Sequence, residues 1–257
     1  MSVEDQFTWW PHGYVRRSGI TKDGTFEAYV PGNPLFELLH RHGVSVSPVR
    51  QAFIRDWVGA NSVVWDIGAK LGGFALPAAL KARQGTVYAI ESDAELAAQL
   101  RRSLQLPQNR TLRVLPLAVT LSNSDTRRPD SPSSFQKSET PDTVTIDTLA
   151  KRIAPPDVIS LSVQGGAANI LAGGQETITR QRPAFLIEGS PDWWTAHGVF
   201  FRKLDYVLLD AGASHSLLER PVWETAAIPL EKYENTPLAN VHRVLLSEKA
   251  GRTRRFR

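Results

Sequence analysis

The chain has 257 residues, of which 42% are hydrophobic and 22% charged, with a formal net charge of +4. These values are typical of a globular protein with one large domain or two small ones. There is no cysteine, which excludes disulfides and thiolate metal sites. No apolar run approaches the roughly 18 residues of a membrane-spanning helix, and the N-terminal "MSVEDQFTWWPHG" has acids where a signal peptide needs basic residues. We therefore expect a soluble, cytoplasmic protein.

The first part of the chain differs in pattern from the rest. Residues 1–47 are punctuated by Gly and Pro and are predicted to form an N-terminal extension or cap, with a strand near Thr25–Val30 and a helix over 34–42. Residues 48–257 are predicted to form the main domain.

A helix opens the main domain. Ser47 is a good N-cap and Pro48 suits the first helical position. Val49, Phe53 and Trp57 have the spacing of residues on one helical face. This face is predicted to pack on the core.

Buried strands then alternate with helices. The strands are "SVVWDIGA", "GTVYAIES", "TLRVLPLAV", "DVISLSV" and "PAFLIEG". The main helices between them are "GGFALPAALKAR", in which Pro77 favours a late start or a kink, "DAELAAQLRRSLQL", with Asp93 as its cap, and "AANILAGGQETITR". This alternation predicts an α/β protein with a doubly wound, mostly parallel sheet.

Two irregular regions interrupt or end this pattern. Residues 122–142 are rich in Ser, Pro and Asp and are predicted to be a loop, followed by a short helix at Ile146–Arg152. Near the C-terminus, "YVLLDA" and "NVHRVLLSE" are predicted to form an antiparallel hairpin packed on the sheet, flanking a loop over 212–238.

The turn after the first strand of the main domain has the composition of a nucleotide site. Asp66 lies near the strand end, and Gly68 and Gly72 frame the turn, where a missing Cβ permits close approach of a ligand. The next strand ends at Glu91, about where an acid binds the ribose hydroxyls of a nucleotide. The Asp-x-Gly-x-x-x-Gly spacing favours S-adenosylmethionine over a dinucleotide. The alternative is a plain strand–helix turn.

At this point the sequence resembles the FkbM family of methyltransferases over roughly residues 50–210. The resemblance is carried, in order, by "VVWDIGAKLGGFALPAA", "VYAIESDAELAAQLRRSL", "LPLAVTLSNSD", "TVTIDTLA", "DVISLSVQGGAANILAGGQETI" and "RPAFLIEG". It implies a Rossmann-like methyltransferase fold, S-adenosylmethionine as the cofactor, and methyl transfer to a hydroxyl of a small molecule or sugar.

The resemblance also implies a set of cofactor-binding residues. Two of its positions depart from the family, which usually has Asn where this chain has Lys70 and Pro where it has Ser92. The predicted cofactor-binding residues are Asp66, Gly68, Ala69, Gly72, Glu91, Ser92 and Ala118.

The fourth-strand motif departs furthest from the family. The family has approximately Lys-Ile-Asp-Val-Glu-Gly-Ala-Glu, whereas residues 160–167 read "SLSVQGGA". A hydroxyl acceptor needs a base or a metal to take its proton. We predict Glu188 and Asp147 as candidate catalytic bases and Ser162 as an orienting residue, with His197 as a further candidate base. Asp147 has the alternative role of a helix cap, and His197 that of a structural residue.

Four functions remain open at this level. The first is an active O-methyltransferase with a small-molecule or saccharide acceptor, and the second is a catalytically degenerate binding or scaffold protein. An NAD-linked oxidoreductase is disfavoured by the glycine spacing. A nucleic-acid binder is supported only by the terminal "GRTRRFR" and is also disfavoured. The six His residues show no metal-binding spacing, so no metal site is predicted.

Overall fold

A computed structural model of the chain describes residues 14–32, 46–125, 142–163, 165–189, 194–212, 216–217 and 222–240. Several predicted features lie outside these residues. They are the helix over 34–42, most of the loop over 122–142, most of the strand over 240–248, and the Arg-rich terminus.

The described residues form strands and helices that alternate through the main domain. The strands are β1 (Tyr14–Thr21), β2 (Gly24–Pro31), β3 (Val63–Ile67), β4 (Thr86–Ile90), β5 (Val114–Leu117), β6 (Val119–Leu121), β7 (Asp142–Val144), β8 (Val158–Ser162), β9 (Ala184–Glu188), β10 (Tyr206–Asp210), β11 (Ser216–Leu217) and β12 (Glu224–Pro229). The α-helices are α1 (Pro48–Trp57), α2 (Ala75–Lys81), α3 (Ala94–Leu104), α4 (Ile146–Ala150), α5 (Ala167–Ala172), α6 (Gln175–Gln181), α7 (Trp194–Lys203) and α8 (Leu230–Glu234).

A central sheet has the strand order β11-β10-β12-β9-β8-β3-β4-β5. Strands β5, β4, β3, β8 and β9 are parallel, and β12 runs antiparallel between β9 and β10. The order reverses at β3, so helices cover both faces and two hydrophobic clusters form, one on each face. The predicted doubly wound, mostly parallel sheet is confirmed.

The structure corrects the loop predicted over 212–238. This segment contains both antiparallel partners of β10, the short β11 and the longer β12 at Glu224–Pro229. The sequence "ETAAIP" lacks the β-branched and aromatic run that marks a strand. Ala226 and Ala227 are fully buried between β9 and β10, so this strand is specified by small side chains that fit a crowded position.

The predicted helix starts are confirmed by their caps. Ser47 Oγ accepts a hydrogen bond from Val49 N, and Pro48 begins α1. Asp93 Oδ1 accepts one from Leu96 N and caps α3. Helix α2 starts only at Ala75, as Pro77 predicted.

The predicted helix over residues 167–180 is two helices. It breaks between α5 and α6 at Gly173 and Gly174, because glycine is a poor helix former and the pair offers two adjacent weak positions.

The N-terminal hairpin of β1 and β2 packs on the main domain. The strand predicted near Thr25–Val30 is confirmed as part of β2. Its Phe26, Ala28 and Val30 are buried in the same cluster as α1, α2 and α3. Asn109 and Ser103 bind the backbone of the free edge of β2, so this edge is paired by side chains instead of a third strand.

Within the described ranges, no helix has both the length and the apolar character needed to cross a membrane.

Candidate functional site

A cavity of about 440 Å³ lies at the carboxyl ends of β3, β4 and β8. Ligands of open α/β sheets bind at this edge, next to the point where the strand order reverses. The volume lies within the roughly 300–1,000 Å³ of small-molecule sites. Three predicted cofactor-binding residues, Gly68, Glu91 and Ser92, line the cavity together with Ser162.

The loop after β3 is packed tightly over the end of β8. Gly68 has a φ of 77°, and a Cβ at this position would collide with the carbonyl oxygen of Ser162. The amides of Gly68 and Ala69 both donate to the carbonyl oxygen of Ile90. Only glycine fits here, and the loop is fixed against both neighbouring strands.

Glu91 is held in the cavity wall by two backbone amides. Its Oε2 accepts a hydrogen bond from Lys70 N and its Oε1 accepts one from Asp93 N, both at 2.8 Å. A carboxylate offers about four lone-pair sites, so each oxygen retains one for a ligand. The side chain is buried but borders the cavity. Its orientation is therefore fixed before any ligand binds.

Lys70 occupies an unusual backbone conformation in this loop. Its φ is 50°, in the left-handed region, which Asn adopts more readily than Lys. This agrees with the Asn that the FkbM family usually has at this position. The Lys70 side chain is exposed, and its charge helps to lower the pKa of Glu188.

A second, smaller cavity of about 220 Å³ adjoins the first and shares Gly68, Lys70 and Ser162 with it. The predicted residues Asp66, Ala69 and Gly72 line this cavity instead of the larger one. Phe26, Ala28 and Val30 of the N-terminal hairpin form its opposite wall.

Asp66 is a buried cap of helix α2. Its Oδ2 accepts a hydrogen bond from Ala75 N at 3.0 Å, and its side chain is 2% exposed. Burial raises the pKa of Asp66 to about 6, against the opposing effects of the Arg50 charge and a hydrogen bond with the Ser160 side chain.

Glu188 and Ser162 lie together, as the catalytic prediction requires. They are accompanied by Arg50, which was not among the predicted residues. Arg50 Nε donates to Glu188 Oε1 and Arg50 Nη2 donates to Glu188 Oε2, both at 2.6 Å. Ser162 Oγ donates to Glu188 Oε2 at 3.1 Å. Burial raises the pKa of Glu188, but the bonds and charge of Arg50, with Ser162 and Lys70, outweigh it and lower the pKa overall.

The polar side chains of the strands share one face of the sheet. Alternate strand residues point to opposite faces, and Val64, Val158, Leu186 and Ala226 belong to the cluster that contains α1. A residue two or four positions from one of these along the same strand points to the same face. Such residues are Asp66, Ser160, Ser162, Glu188 and Glu224. Helix α1 covers this face and supplies Arg50.

Arg50 was missed by the sequence reasoning, although a local signal exists. It lies three and four residues before the buried Phe53 and Ile54, which is the spacing of a shared helical face. A charged residue on a buried face requires a partner. The identity of that partner, 138 residues away, has no local signal.

Asp147 lies away from this group. Its Oδ1 accepts a hydrogen bond from Thr177 N at 2.7 Å and its Oδ2 accepts one from Glu176 N at 3.1 Å. Both amides belong to the first turn of α6, whose N-cap residue Gly174 has no side chain. These contacts are those of the alternative role, a helix cap.

The remaining candidates are only partly described. Ala118 lies between β5 and β6, beside Val119, which lines the larger cavity. His197 lies on α7. Gln164 of the fourth-strand motif lies outside the described residues. In the parts of the chain that the structure describes, no three His, Asp or Glu side chains are grouped to hold a metal ion.

The family model for the FkbM methyltransferase domain matches residues 59–214. No curated protein matches the chain. Among solved structures, the FkbM methyltransferase from Methylobacillus flagellatus is 18% identical, with a TM-score of 0.49 over 66% of this chain and 43% of that one. This chain thus spans less than half of that protein's length.

Two further solved structures have similar scores. The precorrin-6y C5,15-methyltransferase from Geobacter metallireducens is 14% identical, with a TM-score of 0.44 over 70% of this chain and 87% of that one. The tRNA (uracil-54, C5)-methyltransferase from Pyrococcus abyssi, solved with S-adenosyl-L-homocysteine, is 13% identical, with a TM-score of 0.43 over 85% and 44%. The strand order of the central sheet, together with the match to the family model, confirms the predicted Rossmann-like fold.

Proposed function

This chain belongs to the family of FkbM methyltransferase domains, and on that premise we propose that it transfers a methyl group from S-adenosylmethionine to a hydroxyl of a small molecule or sugar. The observation that carries the proposal is the cavity of about 440 Å³ with Glu91 fixed in its wall.

The residues around this cavity fit the proposed cofactor. The two free lone-pair sites of Glu91 suit the two vicinal hydroxyls of a ribose. The Gly68 backbone comes close to the ligand space because no side chain intervenes. Gly165 and Gly166 face open space, with no atom within 4 Å of a Cβ built on either. S-adenosylmethionine, when bound, supplies a methyl group on a sulfonium, which a hydroxyl oxygen can attack.

Ser162 is the proposed contact for the acceptor hydroxyl. It lines both cavities, so a hydroxyl near it lies at their junction. Because its own proton is donated to Glu188, its oxygen presents lone pairs to the acceptor. The acceptor hydroxyl thus donates to Ser162 Oγ, which orients the acceptor oxygen.

The same two hydrogen bonds give the proton of the acceptor hydroxyl a route through Ser162 to Glu188. With S-adenosylmethionine bound, the acceptor oxygen would take the methyl group as the bond from that group to sulfur breaks. Ser162 Oγ would accept the proton of the acceptor and pass its own proton to Glu188 Oε2. The products are the methyl ether, the thioether and a protonated Glu188, which water then deprotonates. The role of Glu188 is thus to receive a proton through Ser162.

Cofactor binding is tested first by calorimetric titration. We expect S-adenosylhomocysteine and adenosine to bind, and 2′,3′-dideoxyadenosine to bind at least about tenfold more weakly, because hydrogen bonds to a charged group contribute about 1.5–3 kcal/mol. Changing the ligand leaves the two amides that Glu91 satisfies intact. Absence of S-adenosylhomocysteine binding at millimolar concentration would overturn the proposal.

Methyl transfer is tested with radiolabelled S-adenosylmethionine and a panel of saccharides and small alcohols and phenols. We expect label in a product that resists mild alkali, as an ether does and an ester does not. Label in a carboxyl ester would contradict the hydroxyl acceptor.

The second candidate, a catalytically degenerate binding protein, is favoured by one observation. Arg50 already occupies Glu188 and lowers its pKa, which weakens it as a base. This candidate predicts tight S-adenosylhomocysteine binding with no labelled product from any acceptor.

A further inference from the structure

We infer that Arg50 is a positioning residue for methyl transfer, holding Glu188 so that its carboxylate orients the Ser162 hydroxyl and stays ionised to receive the proton. The inference rests on the proposed function and extends it to helix α1, which precedes the residues matched by the family model.

The geometry of the pair restricts the Glu188 carboxylate to one orientation. Two parallel N–H···O bonds of 2.6 Å join the guanidinium and the carboxylate, the bidentate arrangement that is strongest and most directional. The side chains are only 26% and 18% exposed. In this orientation Oε2 accepts the Ser162 hydroxyl as well, so Ser162 points its proton at Glu188 and its lone pairs elsewhere.

The guanidinium lies against the loop that follows β3. Arg50 Nη1 would lie 2.9 Å from a Cβ added to Gly73, so the glycine admits the guanidinium between this loop and the end of β9. Arg50 therefore packs between the glycine loop and the carboxylate of Glu188.

Arg50 also sets the charge balance of the whole group. In the described part of the chain, the carboxyl groups of Glu188, Asp66 and Glu224 act on it. Burial, followed by the charge of Glu188, raises the pKa of Glu224. Lys70 is a second cation acting on Glu188 among the residues that the structure describes. Without Arg50, like charges would face each other across β9, β12 and β3, and the pKa of Glu188 would rise.

The neutral fourth strand lies beside the buried Asp66. Ser160 pairs in register with Asp66, and the side chains of Ser160 and Asp66 are hydrogen-bonded. The Arg50 charge acts on Asp66 from α1.

The test compares Arg50→Gln and Arg50→Lys with Arg55→Gln. Arg55 lies on the same helix and makes the same two-bond contact, with Asp56, at 2.6 Å, but on the exposed surface. It is therefore a matched control for the loss of a helical arginine and its ion pair. Each variant is assayed for S-adenosylhomocysteine affinity, methyl-transfer rate against pH, and the Glu188 pKa by carboxyl ¹³C NMR.

We expect Arg50→Gln to lower the transfer rate at least about tenfold and to move the acid limb of the pH profile, with the Glu188 pKa, upward by about one unit or more. Arg50→Lys keeps the positive charge but cannot form the bidentate ion pair, so its transfer rate should be intermediate. This variant also tests the inference if Arg50→Gln does not fold. Arg55→Gln should match the wild type, and all folded variants should bind S-adenosylhomocysteine within about threefold of it.

A folded Arg50→Gln or Arg50→Lys variant with the wild-type rate and pH profile would overturn the inference. A double variant with Glu188→Gln gives a second criterion, since residues on one path should lose no more together than Glu188→Gln loses alone. Full additivity would also overturn it. Failure of the wild type to methylate any acceptor would instead overturn the proposed function, which keeps the two outcomes distinct.

Discussion

Asp66 and Glu188 lie on the same face of the sheet, near the same arginine, yet their pKa values shift in opposite directions. At Asp66 burial dominates and the pKa rises to about 6. At Glu188 burial also raises the pKa, but the direct bonds from Arg50 reverse the shift. A cation bonded to the partly buried Glu188 thus lowers its pKa, whereas the same cation near the buried Asp66 does not offset the effect of burial.

The Asp66 shift predicts a pH dependence of stability. Because its folded pKa lies above the ordinary value of 3.8, the folded state holds the proton more tightly than the unfolded state, and stability is lost as pH rises from about 4 through about 6. Asp66→Asn should remove this loss, worth about 3 kcal/mol. Urea unfolding of both proteins from pH 4 to pH 8 measures it. The same pH dependence in both would contradict the assigned shift.

Ser162→Ala should slow methyl transfer by about ten- to a hundredfold, because it removes a hydrogen bond to a charged group worth about 1.5–3 kcal/mol. The methyl-transfer assay measures the rate, and S-adenosylhomocysteine affinity should change little. Ser160→Ala is the control, since it removes a hydroxyl from the same strand and face without touching Glu188. Equal losses for the two variants would argue against the role of Ser162.

Among individual residues, the sequence could predict those whose role follows from their position at the end of a recognisable strand. Gly68 and Glu91 follow strands of recognisable pattern, and both line the cavity. Arg50 and the cap role of Asp147 depend on partners that are distant in the chain. Their residue types indicate a need for partners without identifying them.

Helix α6 depends on a side chain from another helix. Its own N-cap is Gly174, and Asp147 of α4 accepts hydrogen bonds from its first-turn amides. The carboxylate also interacts favourably with the positive end of the helix dipole. One residue thus joins the two helices α4 and α6.

Asp147→Ala should therefore destabilise the protein by about 1–2 kcal/mol, the usual contribution of a cap, as measured by urea unfolding. Asp147→Asn keeps one acceptor oxygen and should lose less. We expect both variants to retain S-adenosylhomocysteine affinity. Abolished methyl transfer in a fully folded Asp147→Asn variant would instead support the original catalytic prediction.

Elements with strong local patterns could be predicted and those defined by packing could not. Strands rich in Val and Ile, such as β3 and β8, and capped helices, such as α1 and α3, were found from the sequence. Strand β12 was not, because its alanines carry little strand propensity and fit only between β9 and β10.

Across the whole molecule, Asn109 attaches the N-terminal hairpin to the main domain. Its Oδ1 accepts a hydrogen bond from Glu27 N, and its Nδ2 donates to the carbonyl oxygens of Glu27 and Ser103. The side chain is 1% exposed, so water cannot replace these bonds. Strand order in the sheet follows from the alternation of elements, but this docking site could not be predicted, because it consists of two side chains bonding a distant strand edge.

Asn109→Ala should cost roughly 2–4 kcal/mol of stability, since it leaves buried backbone groups without partners. It should also speed hydrogen exchange of the β2 amides before those of β3. Gln108→Ala is a suitable control, because the neighbouring Gln108 also bonds the hairpin, at Thr25, but from an exposed position. A loss below about 0.5 kcal/mol for Asn109→Ala would contradict the assigned attachment.

The ion pair between Arg50 and Glu188 crosses the start of the family match at residue 59, and this has an evolutionary consequence. A lineage that lost the arginine first would bury an uncompensated carboxylate, and one that lost the glutamate first would bury an uncompensated guanidinium. Positions 50 and 188 should therefore covary among related sequences, and a neutral fourth strand should be inherited together with a basic residue in the preceding helix. A chimera that joins residues 59–214 to a foreign N-terminal segment should work only if that segment supplies its own cation.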